Sequence, residues 1–233
     1  MGNTSPKSFA VSVRAVRGRN LMMVTRYPFD GNPNDASGFM LNGTVMGPTL
    51  AADRHGSPDS AYHFDGVNDF IVASPASGLP TGERTVALWF RADRLDTRPV
   101  LLGYGAGDGT SWLMSLNGGG SRAYVMTTTR GDVSTITYPW ASAPIDVWTH
   151  FAVTTDATGT RIYVNGTEVA MNDTSVTGTA VSGTSLGIGV ASAPDGSVPY
   201  TNANFGYFAG DIDDVRIYVR ALSAEELRVL AGS

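Results

Sequence analysis

The feature that most constrains this chain is a period-two alternation of apolar and polar residues, restarted at intervals of roughly 8 to 15 residues by Gly, Asn and Pro clusters. Side chains alternate across a strand, so Val86, Leu88 and Phe90 share one face, opposite Ala87, Trp89 and Arg91. The same reading predicts strands at Ala10–Val16, Met22–Phe29, Ala61–Val72, Thr85–Arg91, Val100–Gly103 and Trp112–Leu116. It continues with Ala123–Thr127, Thr149–Thr155, Arg161–Val164, Glu168–Met171, Ser185–Val190 and Gly210–Tyr218. Many short strands with dense turn punctuation predict an all-β, two-sheet antiparallel sandwich of jelly-roll type. Asn165-Gly166 supplies the two positive-φ residues of a type I′ hairpin turn. A single helix has a start signal: Ser223-Ala224-Glu225-Glu226 is a capping box, which predicts a short C-terminal helix over about Ala224–Leu230 that stops near Gly232.

Composition removes several functions. A chain of 233 residues that is 42% apolar and 16% charged builds one large domain with a real core. The absence of cysteine excludes thiol nucleophiles, disulfides and Cys-based zinc sites. A net charge of −5, with Lys7 the only lysine and no run of Arg, argues against a nucleic-acid partner. No apolar run is long enough for a membrane helix, so membrane insertion is not expected, and no signal peptide follows Met1. Of the 21 acidic residues only Glu83, Glu168, Glu225 and Glu226 are glutamates. Asp favours turns and hard-cation sites, which fits a loop-rich β protein with calcium chemistry.

Six segments in order carry a family resemblance. They are Tyr27 to Gly38, Phe64-Asp65-Gly66-Val67-Asn68-Asp69-Phe70-Ile71, Thr85 to Arg91, Val147-Trp148-Thr149-His150-Phe151-Ala152-Val153, Ile162-Tyr163-Val164-Asn165-Gly166, and Gly210 to Ser223. Together they resemble the LamG-like (laminin G-like) domains of the concanavalin A-like lectin/glucanase superfamily. The resemblance spans residues 21–233 and implies two packed antiparallel sheets. Residues 1–20 lie outside it as an N-terminal extension, in which Phe9 to Gly18 faintly resembles the last strand of a preceding bacterial surface-protein domain.

The resemblance also implies a structural calcium ion. Laminarinase-type glucanases of this superfamily join the first strand, a glycine carbonyl and an aspartate of the last strand through one Ca²⁺. On this chain those roles fall to the Asp30 loop, Gly66 and Asp213. The alternative is that Asp30 and Asp213 accept turn and strand-end hydrogen bonds. An EF-hand is excluded, because the sixth loop position is Asp35 and the twelfth Leu41.

Sugars are recognised by aromatic rings flanked by planar polar groups. Trp112 and Trp140 are the preferred ligand-binding pair because each follows a polar or Gly-rich loop, with Tyr138, Tyr104 and Tyr124 as further candidates. Trp89 and Trp148 match framework positions of the family and are assigned to the core. No paired-Glu motif of retaining glycosidases is present. Gly183-Thr184-Ser185-Leu186-Gly187 fits Gly-x-Ser-x-Gly but lacks the strand before and the helix after. Arg130-Gly131-Asp132 and the sequons starting at Asn3, Asn42, Asn165 and Asn172 are short enough to arise by chance. The expectation is therefore a non-catalytic carbohydrate-binding or adhesion module of a secreted or cell-surface protein, bacterial in origin, with a polysaccharide or another surface protein as partner. A structural spacer without a sugar site is the rival, and a polysaccharide-active enzyme the third option.

Overall fold

A computed structural model describes residues 22–74, 76, 78–95, 98–106, 110–116, 122–129, 132–139, 143–172, 185–193, 197–202 and 205–233. Their elements are β1 (Met23–Tyr27), β2 (Thr44–Met46), β3 (Thr49–Ala51), β4 (Ala61–Asp65), β5 (Phe70–Ala73), β6 (Arg84–Ala92), β7 (Val100–Ala106) and β8 (Thr110–Leu116). There follow β9 (Arg122–Thr129), β10 (Asp132–Pro139), β11 (Thr149–Asp156), β12 (Gly159–Val164), β13 (Thr167–Asn172), β14 (Ser185–Ile188), β15 (Ala209–Tyr218) and the helix α1 (Ala224–Ala231). One sheet runs β13-β12-β11-β6-β15-β4-β3, with β1 also on β15, and the other runs β10-β9-β8-β7-β14-β5-β2. Among the described residues every strand pair is antiparallel, in keeping with the alternation.

Alternation decides which face of each sheet is dry. Leu88, Phe90, Phe151, Val153, Ile162 and Ile212 of the first sheet meet Leu102, Tyr104, Trp112, Met114, Leu116 and Leu186 of the second in one core. On the outer face of the first sheet, Ala87, Ala152, Tyr163 and Tyr218 pack beneath Leu222 and Leu227. Helix α1 therefore covers one half of that face. Its capping box forms as the sequence predicts: Ser223 accepts from the Glu226 amide, and the Glu226 carboxylate accepts from the Ser223 amide. The Asn165-Gly166 turn has φ of 49° and 75°, the values a type I′ turn needs. A Cβ on Gly166 would lie 2.9 Å from Arg228 Cα, so glycine also lets α1 approach the hairpin.

Two departures from the sequence reading matter. The single strand expected over Ala61–Val72 is split into β4 and β5, which lie in different sheets. The Asp65–Asn68 turn separates them: Asp65 Oδ1 accepts from Val67 N and Asn68 N, and Gly66 has φ +73°. Strands β2, β3 and β10 were not foreseen, because three-residue strands and a run of β-branched and hydroxyl side chains carry little alternation. The expected strand Ala10–Val16 lies outside the described residues.

Candidate functional site

Strand β15 carries the polar chemistry of the outer face. Its register against β6 pairs Ile212 with Phe90 and Asp213 with Trp89, then resumes at Arg216 with Ala87, so β15 holds one extra residue. That residue is a β-bulge, and Asp214 in it has φ +47°. Regular alternation would send neighbouring side chains to opposite faces, yet Asp213 and Asp214 both line one cavity of about 260 Å³. Arg26, Asp30, Asp53, Arg54, Ser60, Arg216 and Ser233 line it with them.

Both carboxylates are buried and both are paired. Asp213 is ion-paired with Arg54 Nη1, and Asp214 accepts from Arg26 Nε at 3.2 Å and Arg216 Nε at 2.9 Å. Burial pushes Asp213 up to about 7 against the pull of Arg54, with the Asp214 charge adding to the rise. Asp214 is also desolvated, but Arg216 and Arg26 outweigh burial and hold it below the usual carboxylate range. Arg54 does more than neutralise: its Nε and Nη2 donate to the Ser233 carbonyl at 3.2 and 2.8 Å, and its Cζ lies 5.0 Å from the Trp89 ring centroid. Beside Trp89, His150 is held neutral, its pKa lowered to about 4 by burial and then by Arg216.

The three residues expected to share a calcium ion are only partly gathered. Asp30 and Asp213 line the same cavity. Gly66 sits against Ala209 and Arg94, and Ala209 lies four positions before Asp213 on β15, about 13 Å at strand rise. Calcium ligands sit at about 2.3–2.6 Å from the ion, so these three do not fit one coordination sphere, and the Arg54 guanidinium already occupies Asp213. Among the described residues no group of three or more His, Cys, Asp or Glu side chains is placed to hold a metal. Melting temperature is accordingly expected to be the same in excess calcium and in excess EDTA; a calcium-dependent rise of several degrees would restore the ion, since a ligand of the folded state stabilises by mass action.

The aromatic residues change places with the expectation. Trp112 is 1% exposed and stacks on Tyr104 at 5.4 Å, within the core between the sheets. Tyr104 is fully buried; its hydroxyl accepts from Arg84 Nη1 at 2.9 Å and donates to the Pro80 carbonyl at 3.3 Å. Neither ring has a face to offer a ligand, so their assignment to a sugar site is corrected. Residues 112, 114 and 116 face inward together, and a preceding loop says nothing about that parity. Tyr138 is half-buried and packs on the same core. Tyr124 pairs through its backbone with Ser115 and Thr137, and its side chain lies outside the described set. Trp140 lies outside the described residues. Among the described residues, the 670 Å³ hollow where β10 and β13 meet is lined by Thr135, Ile136, Thr137, Met171 and Asn172, none of them aromatic.

Trp89 and Trp148, assigned to the core, sit instead on the outer face of the first sheet, each half-buried beneath an arginine. Around Trp148 the polar groups are held in place. Arg91 Cζ stands 5.5 Å from the Trp148 ring centroid, and Arg91 Nε donates to Asp211 Oδ2 at 2.7 Å. The other oxygen, Asp211 Oδ1, lies 2.9 Å from His63 Nδ1. Asp211 is 2% exposed, whereas Arg91 is 39%, His63 41% and Asp93 42% exposed, so one buried carboxylate orients two groups that reach solvent. Ile145 and Val147, just before Trp148 in the chain, are apolar and 49% and 53% exposed. The signal for this site was in the sequence: Trp89, Arg91, Trp148, Asp211 and His63 all fall on the outward parity of their segments.

Comparison with known proteins agrees with the architecture. Domain 4 of AbnA, an extracellular GH43 arabinanase from Geobacillus stearothermophilus solved in complex with arabinotriose, superposes with a TM-score of 0.69 at 22% identity, over 90% of this chain and 98% of that one. The receptor-binding domain of botulinum neurotoxin type G follows with a TM-score of 0.68 at 16% identity, over 91% of this chain. That of serotype D has a TM-score of 0.68 at 12% identity. This chain spans about half the length of those toxin domains, 51% and 52%. No curated protein sequence matches it. The laminin G family model matches residues 65–228, well over half the sequence, and that segment includes Arg91, Trp148 and Asp211 of the outer-face site. The chain belongs to the laminin G branch of the concanavalin A-like lectin/glucanases superfamily.

Proposed function

We propose that this protein is a non-catalytic carbohydrate-binding module of an extracellular or surface-attached protein, with Trp148, Arg91 and His63 as its sugar platform. The observation that carries this reading is the buried Asp211, which fixes Arg91 over Trp148 and His63 beside it before any ligand arrives. A sugar needs an apolar ring face together with donors and acceptors for its hydroxyls. Ordering those groups in advance removes an entropic cost of about 0.5–1.5 kcal/mol per side chain from binding. The arabinotriose complex of AbnA domain 4, a domain of the same fold and nearly the same extent, supports a neutral glycan as the ligand class. The non-catalytic reading is supported by the four glutamates: Glu83 and Glu225 are exposed, Glu168 lies on β13, and Glu226 is occupied by Arg220. The sequence also lacks the paired-Glu motif of retaining glycosidases.

The test is binding to arabinan and to a panel of neutral polysaccharides by affinity electrophoresis and calorimetry. Trp148→Ala is expected to weaken binding by about 1–2 kcal/mol, roughly 5- to 30-fold in Kd, with little change in melting temperature. Full affinity in the Trp148 variant would remove the platform; wild-type protein that binds no polysaccharide would favour the spacer.

A further inference from the structure

We propose that the platform is one end of a linear subsite that takes an unbranched, uncharged polysaccharide lying across the strands, from Trp148 over Arg91 and His63 to Thr49. This rests on the carbohydrate-binding reading above and specifies the chain it would take. Strand register carries it. Thr49 of β3 is opposite His63 of β4, His63 is opposite Asp211 of β15, and Asp211 is opposite Arg91 of β6. Directly opposed residues in a sheet project to the same face, so these four form one cross-strand row. Trp148, just before β11 and with its ring centroid 5.5 Å from Arg91 Cζ, extends the row to a fifth position. At a strand spacing of about 4.8 Å, five positions span about 19 Å, the reach of a short oligosaccharide. Helix α1 and Arg54 pack over other parts of this face. At the Thr49 end the row is open, since Thr49 is exposed.

Charge selects the ligand. The only cation in the row, Arg91, is already paired with Asp211, and the exposed Asp93 carboxylate lies 3.9 Å from His63 Nε2. A uronic-acid chain would bring a negative charge on each residue to a row in which Arg91 is balanced by Asp211 and beside which the exposed Asp93 adds a further negative charge. A neutral chain meets instead alternating donors and acceptors: hydroxyls donate to Asp93 and accept from Arg91 and Thr49, while an apolar sugar face packs against the part of the Trp148–Arg91 pair that reaches solvent.

Calorimetry with linear arabino-oligosaccharides from dimer to hexamer, beside oligogalacturonides of equal length, tests this. Affinity is expected to rise with length until the chain spans the row and then to level. Thr49→Ala is expected to shrink the hexamer-to-dimer affinity ratio by about three- to tenfold without changing melting temperature, and oligogalacturonides to bind at least about tenfold more weakly than the neutral chains. A dimer that binds as tightly as the hexamer, an unchanged ratio in the Thr49 variant, or tighter binding of the acidic chains would overturn the row. Binding that needs Trp148 but ignores length leaves the sugar platform standing and removes only the row. No binding to any oligosaccharide removes both.

Discussion

Arg54→Ala is expected to destabilise the protein by about 3–5 kcal/mol well above pH 7, the cost of leaving a buried ionised carboxylate without its partner, and by less as pH falls and Asp213 takes up a proton instead. Arg54 is 13% exposed and its ion-pair partner Asp213 3%, so solvent screens this pair little. The same side chain ties three parts of the chain together: the loop after β3, the bulged strand β15, and the C-terminal residue Ser233 beyond α1. In a domain of this size about 1 kcal/mol moves the melting temperature by roughly 2–4 °C, so the expected fall is on the order of 10 °C. Arg54→Lys should recover only part of it, because an ammonium is a point charge and cannot hold Asp213 and the Ser233 carbonyl at once while lying flat on Trp89. Arg54→Met combined with Asp213→Asn removes the orphaned charge together with its partner, and should recover most of the loss. Thermal and denaturant unfolding of the three variants decides the matter: a loss below about 1 kcal/mol in Arg54→Ala would mean that the pair behaves like an exposed surface bridge.

Trp112→Ala is expected to cost about 3–5 kcal/mol, the range for removing a large aromatic side chain from a packed core. Trp112 is stacked on Tyr104, whose hydroxyl is anchored by the fully buried Arg84, so the surrounding wall has little freedom to collapse into the space left behind. What separates this variant from Trp148→Ala is the pairing of readouts. Trp112→Ala should unfold at a lower temperature and, per folded molecule, bind polysaccharide as the wild type does; Trp148→Ala should do the reverse. A stable Trp112 variant with weakened sugar binding would return Trp112 to the ligand site and refute the inward placement of β8.

The architecture was legible in the sequence because its signals are local. Alternation through Thr85–Arg91, the Asn165-Gly166 turn and the Ser223–Glu226 capping box each depend on residues that are neighbours in the chain, and each forms as read. The site was less legible because it is made by register between distant strands. Thr49, His63, Asp211 and Arg91 meet only once β3, β4, β15 and β6 are placed side by side. The aromatic assignments turned on the wrong signal. Trp112 and Trp148 differ in the parity of their strand positions, and parity was already written in the apolar neighbours Met114 and Leu116 of the first and in the exposed Arg91 that covers the second. Arg54 had no signal: an arginine in an Asp- and Gly-containing turn reads as solvated, and only the bulge in β15 gives it two carboxylates to meet.

That bulge has a further consequence for how such a strand can change over evolutionary time. On either side of Asp214 the inward residues are Ile212 and then Val215 and Ile217, so the strand enters and leaves the bulge with its dry face unaltered. Asp214 thus behaves as a frame-neutral insertion, a residue added to the outer surface without shifting the reading of the core that follows. A substitution in the carboxylate pocket therefore acts on stability through the charges it leaves unpaired, and not by shifting the inward residues of β15.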